Sequence, residues 1–336
     1  MLYLHSLSHL LVDALCAATL FGPVVSGGGD YATLSLLYST LAFATQCLVG
    51  LAADRLRRHR LGAGLSMLVV VLGFVLPLPP TLRVVLIGLG NSVFHVAGGA
   101  DVLEASRGKA GPLGVFVAPG AIGLTLGILW PGLGWLFAAL LALAALAELI
   151  SAKRQQREEA PDFAGEAADV NSRTLLLCTL LTLAVAVRAI GGTAAVFPWK
   201  TGTLATLAMT FCVFLGKTGG GLLCDRLGPR NTALLSLPLS ALLIAFCTAW
   251  PLPSLLGQLL LNLTMPVTLW LLYRLTPAHP GFAFGIAASA LWPGTIAGTL
   301  MQQNEKLRAP LVLLSFLFGL FAILYADKRK RNGGEP

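Results

Sequence analysis

Gly50-Leu51-Ala52-Ala53-Asp54-Arg55-Leu56 and Gly221-Leu222-Leu223-Cys224-Asp225-Arg226-Leu227 are one phrase written twice, G-x-x-x-D-R-L, with the second copy 171 positions after the first (221 − 50). In each copy a long apolar run leads up to the Asp-Arg pair and basic residues follow it. An offset of about half the chain means that two halves are built on one plan, and the rest of the sequence is read outward from that repeat.

The 336 residues are 56% hydrophobic and only 11% charged, with a mean hydropathy of +0.80. Soluble domains carry about a quarter of their residues as charges. A chain this apolar throughout has lipid as its solvent, because in water its surface would be one aggregating patch. The net charge of +8 does not indicate a nucleic-acid partner, since the basic residues sit in short clusters between apolar runs. The six cysteines (Cys16, Cys47, Cys178, Cys212, Cys224, Cys247) all lie inside apolar runs, and none forms a C-x-x-C pair. They read as small buried hydrophobes, with neither a disulfide framework nor a thiolate metal site.

A spanning helix needs roughly 17–25 mostly apolar residues. Twelve such runs are read near 3–24, 31–53, 62–78, 82–103, 110–131, 133–152, 173–196, 202–224, 231–249, 254–275, 282–301 and 309–326. The first is taken as a span, since it has no basic leader and is interrupted by His5, His9 and Asp13. Gly27–Gly29 marks a turn outside the membrane. The longest polar stretch, 153–172, divides a six-span bundle over 1–152 from a second over 173–328, with a tail over 329–336. Placing the N-terminus in the cytoplasm puts seventeen Lys and Arg residues inside, among them Arg55, Arg58, Lys153, Arg226 and Arg230. Only Arg83, Lys200, Lys306 and Arg308 are then outside. That asymmetry orients both termini to the cytoplasm and calls for an even number of spans.

The repeated phrase with its basic loop resembles the signature of the major facilitator superfamily. Gly50, Asp54, Arg55 and Arg58 carry it, and Gly221, Asp225, Arg226 and Arg230 form a weaker second copy. The resemblance implies an all-α membrane protein of twelve helices, two parallel six-helix pseudo-repeats around a central cavity, in which the loop Asp and Arg hold one conformation of a transport cycle. A narrower resemblance is to the fosmidomycin-resistance-like branch. It rests on Ser8-His9 with Asp13, on Gly88-Leu89-Gly90 followed by Phe94-His95, and on the glycine-rich fifth span, with Gly111, Gly114, Gly120, Gly123 and Gly127. That branch often places Pro-Glu after its His, whereas Val96 and Ala97 follow here, so the antibiotic is not carried over as a substrate.

A charge at the bilayer centre costs at least about 2.5–3.5 kcal/mol, so ionisable residues inside spans mark function or tight pairing. Span one holds His5, His9 and Asp13, spaced i, i+4, i+8 on one stripe, and span four holds Asn91, His95 and Asp101. Span seven holds Arg188 and span ten Asn262, which is itself 171 positions after Asn91 (262 − 91). Asp13, His9, His95 and Arg188 are expected to share a proton-coupling shell at mid-membrane, with Asn91 and Asn262 lining the substrate cavity. His5 is expected at the interface, and Asp101 and Glu104 at a loop end. Glu148 in span six and Lys217 in span eight depart from the pattern.

The reading is a secondary active transporter that moves a small molecule by alternating access across the cytoplasmic membrane, with proton-coupled export expected. The glycine-proline pattern that the resemblance associates with exporters, Pro119-Gly120 here, carries the direction. Import of a small nutrient or organic anion is the first alternative. A divalent-metal transporter using His5, His9, Asp13 and His95 is the second, with no resident metal expected in the leading case. An intramembrane protease is disfavoured: the G-x-G-D string at 27–30 lies in a turn, and H-E-x-x-H is absent. Gly216-Lys217-Thr218 has the chemistry of a phosphate loop without the preceding strand. No cofactor and no enzyme activity are expected. The expected partners are a small-molecule substrate, protons and the lipid bilayer, with the single chain as the working unit.

Overall fold

The computed structural model describes residues 1–28, 30–158 and 171–332, with backbone alone for 154–158 and 329–332. Gly29, most of the polar stretch 153–172 and most of the tail 329–336 therefore lie outside the described residues or side chains. The described residues hold ten helices long and apolar enough to cross a membrane, and the chain is a multi-pass membrane protein. The helices are α1 (Leu2–Val24), α2 (Tyr31–Leu56), α3 (His59–Val75), α4 (Pro80–Ala105), α5 (Gly111–Leu129), α6 (Pro131–Lys153), α7 (Ser172–Ala194), α8 (Gly202–Phe246), α9 (Pro251–Leu275), α10 (Pro280–Met301) and α11 (Glu305–Lys328). Of these, α3 has 17 residues and falls in the shorter class.

Several helices begin before the sequence reading starts them. Pro80, Pro251 and Pro280 look like breaks, yet each opens a helix. Proline's fixed φ and missing N–H cost nothing in a first turn, where that N–H would have no partner. The predicted gap between 224 and 231 is smaller still: α8 runs 45 residues, interrupted only at Gly228, whose φ of 80° and ψ of 165° are not helical. Inside α5, Gly111–Val117 and Pro119–Leu129 meet at Ala118. Proline at 119 has no N–H to continue the ladder there, so a bend results. The turn after α1 includes Gly28 at φ 75°. Asp30 then caps α2, accepting from the Ala32 N–H at 3.2 Å and the Thr33 hydroxyl at 2.5 Å. The Thr33 hydroxyl holds the Asp30 carboxyl below the usual range. A lowered folded-state value means that the cap is present above the ordinary Asp pKa and is lost as pH falls through the depressed one.

The faces of the helices follow lipid as solvent. On α6, Leu136, Leu140, Leu143, Leu146 and Ile150 are exposed at three- and four-residue spacing, while Phe137, Leu141, Ala144 and Ala145 are buried on the other side. An exposed leucine stripe of this kind is the outward face of a membrane helix. All six cysteines are free, and Cys16, Cys178 and Cys224 are buried.

The described residues form two compact units. The first takes its residues from 1–107, 119–168 and 276–289; the second from 108–118, 169–275 and 290–336. In the first, α1 lies along Pro119–Leu129 and against α6, α4 and α3, while α3 packs on α4 and α6. In the second, α8 packs on α9, on α11 and on the short helix Gly111–Val117, and α11 packs on α7.

Candidate functional site

In the first unit, the stripe predicted on α1 does face α4. The Asp13 carboxylate lies 3.4 Å from His9 Nε2 and 3.6 Å from His95 Nε2, and accepts from the Asn91 amide at 3.0 Å. The two imidazoles meet edge to face with centroids 4.3 Å apart. His95 Nδ1 lies 2.9 Å from the Asn91 carbonyl, one helical turn back. A carbonyl only accepts, so Nδ1 carries hydrogen and Nε2 is the nitrogen turned to Asp13. In a neutral ring that Nε2 presents a lone pair to a carboxylate, which is repulsive. The pair is attractive only when a proton lies between them. Gly120 of α5 makes room for this group: a Cβ there would collide with His9 Nε2 and Asp13 Oδ2. The glycines of the fifth span thus have a steric reason that the sequence alone does not give.

A second cluster sits one turn back along α1, and here the expectations need correcting. His5 is completely buried, and so is Glu148. His5 Nε2 lies 2.8 Å from Asp101 Oδ2, and His5 Nδ1 lies 2.8 Å from Glu148 Oε1. Asp101 is not a loop-end residue; it is buried within α4 and takes Arg60 Nε at 3.0 and 3.2 Å. Two carboxylates are offset by one guanidinium and one imidazolium, so the cluster is neutral only when His5 holds both ring protons. Glu104 behaves as expected: it is half exposed, with His59 Nε2 3.4 Å away. His5 is thereby committed to Asp101 and Glu148 and stands apart from His9, Asp13 and His95.

The repeated phrase explains itself in backbone terms. In the first unit, Asp54 accepts from the Gly281 N–H at 2.7 Å and the Phe282 N–H at 2.8 Å, the opening of α10. In the second, Asp225 accepts from the Ala110 N–H at 2.6 Å and the Gly111 N–H at 2.9 Å, the opening of α5. Each carboxylate satisfies two N–H groups that no intrahelical carbonyl reaches, at the positive end of a helix dipole. The glycine of each phrase permits the approach: a Cβ on Gly50 would strike the Gly281 carbonyl, and one on Gly221 the Ala110 carbonyl. Arg55, Arg58, Arg226 and Arg230 are exposed, and among the described residues they form no ion pair. Replacing Asp54 or Asp225 with Ala is expected to lower stability by about 1–2 kcal/mol, as loss of an N-cap does, and Ser should recover part of it. Thermal midpoints of the detergent-solubilised variants measure this; equal midpoints for Ala and wild type would exclude a capping role.

In the second unit, Arg188 of α7 is buried, 7% exposed. Its Nη1 donates to the hydroxyls of Thr264 at 2.9 Å and Thr268 at 3.1 Å on α9. Asn262, the counterpart of Asn91 by spacing, donates to the Gln258 carbonyl of its own helix at 2.8 Å and holds no carboxylate. Lys217 Nζ lies 3.5 Å from the Val117 carbonyl, also within this unit. Of the expected shell, then, His9, His95 and Asn91 gather on Asp13 in the first unit, while Arg188 and Asn262 belong to the second.

The described residues thus form an all-helical, multi-pass membrane architecture with ten long apolar helices. No protein-family model and no curated protein matches the sequence. Solved structures do. A bacterial homologue of the iron transporter ferroportin in an outward-facing state aligns with a TM-score of 0.68 at 14% identity, over 97% of this chain and 99% of that one. The E. coli fucose:proton symporter FucP, as a single-residue variant, aligns with a TM-score of 0.63 at 15% identity, over 97% of each chain. FucP in the outward conformation, a major facilitator superfamily transporter, gives 0.62 at 14% identity over 97% of each. The chain has the fold of the major facilitator superfamily transporters.

Proposed function

We propose that the chain is a secondary active transporter of twelve spans in two six-helix pseudo-repeats, 1–152 and 173–328, with both termini in the cytoplasm. On this reading it couples movement of a small molecule across the cytoplasmic membrane to protons, in the direction of export. The count rises from ten to twelve as follows. The 45 residues of α8 amount to about 68 Å of helix, twice the ~30 Å of hydrocarbon, and therefore count as two spans broken at Gly228. The 17 residues of α3 meet the lower limit for one more.

The observation that carries the coupling is the company Asp13 keeps. Among the described residues its neighbours are two imidazoles and an amide, and no Lys or Arg lies within ion-pairing distance. A permanent cation would lock the carboxylate in its charged form. Imidazoles can give or take the same proton, so the group can change charge as the transporter turns over. Membrane vesicles with an imposed pH gradient, screened for efflux and uptake of candidate solutes, test the reading. Flux that responds to the gradient is expected, and its sign separates export from import of a nutrient or organic anion. Flux indifferent to the gradient refutes proton coupling.

A divalent cation is the second reading, favoured by one observation. Ligand atoms of His9, Asp13 and His95 all lie within 4.8 Å of one another. His95 already donates its other ring N–H to a carbonyl, as metal-bound histidines do. His5, engaged elsewhere, is not in this set. Micromolar Zn²⁺ binding that is lost in His9→Ala would favour this reading; its absence from wild type would remove it.

A further inference from the structure

The guanidinium of Arg188 has a charge without a counter-charge. It is 7% exposed, and among the described residues no carboxylate lies within 4.0 Å of it. What surrounds it within its unit is neutral: Thr264 and Thr268 of α9, both fully buried, and Gly319 of α11, whose missing side chain leaves room beside the Arg188 Cδ. An isolated cation in such surroundings is costly, and an ionisable residue inside a membrane span marks a ligand or ion pathway by default.

The hydrogen bonds show which edge is left open. Arg has five N–H donors. Nη1 gives its two to the Thr264 and Thr268 hydroxyls. Those hydroxyls spend their own hydrogens on the carbonyls of Leu261 at 3.1 Å and Thr264 at 2.9 Å, so they serve Arg188 purely as acceptors. Nε and Nη2, with three N–H groups, have no partner among the described residues. The Nε–Nη2 edge is the planar fork that takes two oxygens of one oxyanion. Fixing Nη1 on two neighbouring threonines holds the fork in place before any ligand arrives, which lowers the entropic cost of binding.

We infer that Arg188, oriented by Thr264 and Thr268, is a binding subsite for an oxyanion, a carboxylate or phosphoryl-type group, and that the cargo is negatively charged. A charged cargo presupposes the transport reading, whereas oxyanion binding at Arg188 does not, so a binding measurement separates the two.

The test is thermal unfolding of the purified full chain in non-ionic detergent. Sodium phosphate and sodium acetate are titrated separately against sodium chloride at equal ionic strength. The expected result is a saturable rise in midpoint of roughly 2–4 °C at tenfold excess over the dissociation constant. Arg188→Lys should shrink the rise, because a point charge loses the fork, and Arg188→Met should abolish it. The ligand-free midpoint of Arg188→Met should equal or exceed that of wild type, since both threonine hydroxyls keep their carbonyl partners. The same rise in wild type and Arg188→Met, no rise in wild type, or a ligand-free Arg188→Met midpoint several degrees lower would each overturn the inference. In a second arm phosphatidylglycerol is added to the micelles. A rise with the lipid but with neither soluble oxyanion would assign the fork to a headgroup and overturn its role in cargo binding.

Discussion

Asp13→Asn is expected to abolish gradient-driven flux while leaving the protein folded. The amide is isosteric, and its oxygen still accepts from Asn91, now 3.0 Å from the carboxylate. Its NH2 then takes the place of Oδ2 and can donate to the Nε2 lone pair of His9 at 3.4 Å, while the amide oxygen keeps the Oδ1 position 3.6 Å from His95 Nε2. Packing therefore survives, including the clearance that Gly120 provides. What disappears is the only group in the trio that changes between anion and neutral acid. Coupling free energies of about 1–3 kcal/mol correspond to roughly 5–150-fold effects. Removing the coupling group should cost the upper end of that range, about 100-fold in flux driven by an imposed pH gradient in proteoliposomes. Exchange of solute without a gradient should persist. His95→Gln should be milder, because Asn91 and His9 still hold the carboxylate. If Asp13→Asn kept gradient-driven flux within about twofold of wild type, the proton would have to travel elsewhere.

How much of this could be read from the sequence depended on whether each signal was local. The apolar runs, the stripe of His5, His9 and Asp13 and the two G-x-x-x-D-R-L phrases are short-range patterns, and they placed α1, α2 and the end of the first half of α8 to within a few residues. The helices that open at Pro80, Pro251 and Pro280 start two or three residues before the runs read from 82, 254 and 282, because proline serves there as a first helical residue. The partners of the motif carboxylates were invisible for a different reason. Asp54 and Asp225 bind backbone N–H groups at 281–282 and 110–111, which have no residue-type signature and lie 227 and 115 positions away. The same distance hid the threonines of Arg188, 76 and 80 positions on. The role of the fifth-span glycines was equally hidden: Gly120 is explained only by what would strike its Cβ.

The largest stability effect is expected from the cluster around His5, which sequence reasoning split into three unrelated residues. It joins four helices: His5 from α1, Arg60 from α3, Asp101 from α4 and Glu148 from α6. Its charges cancel only as a set. His5→Leu leaves Glu148, fully buried, without a cation. Glu148→Leu leaves the His5 imidazolium and Arg60 to share Asp101 alone. Breaking a buried pair from one side costs about 3–5 kcal/mol, which for a chain of this size is roughly 4–7 °C in thermal midpoint. The double variant His5→Leu/Glu148→Leu removes one charge of each sign and keeps the Asp101–Arg60 contact at 3.0 Å, so it should recover most of either loss. Midpoints from detergent-solubilised protein complete the cycle. Losses that simply add in the double variant would mean that the four groups are not one electrostatic unit. The outcome also bears on coupling. His9 and Asp13 lie one and two turns further along α1, and the charges gripping His5 hold the rotation that turns them toward α4. A single variant that loses stability should lose gradient-driven flux with it, and the double variant should regain both together.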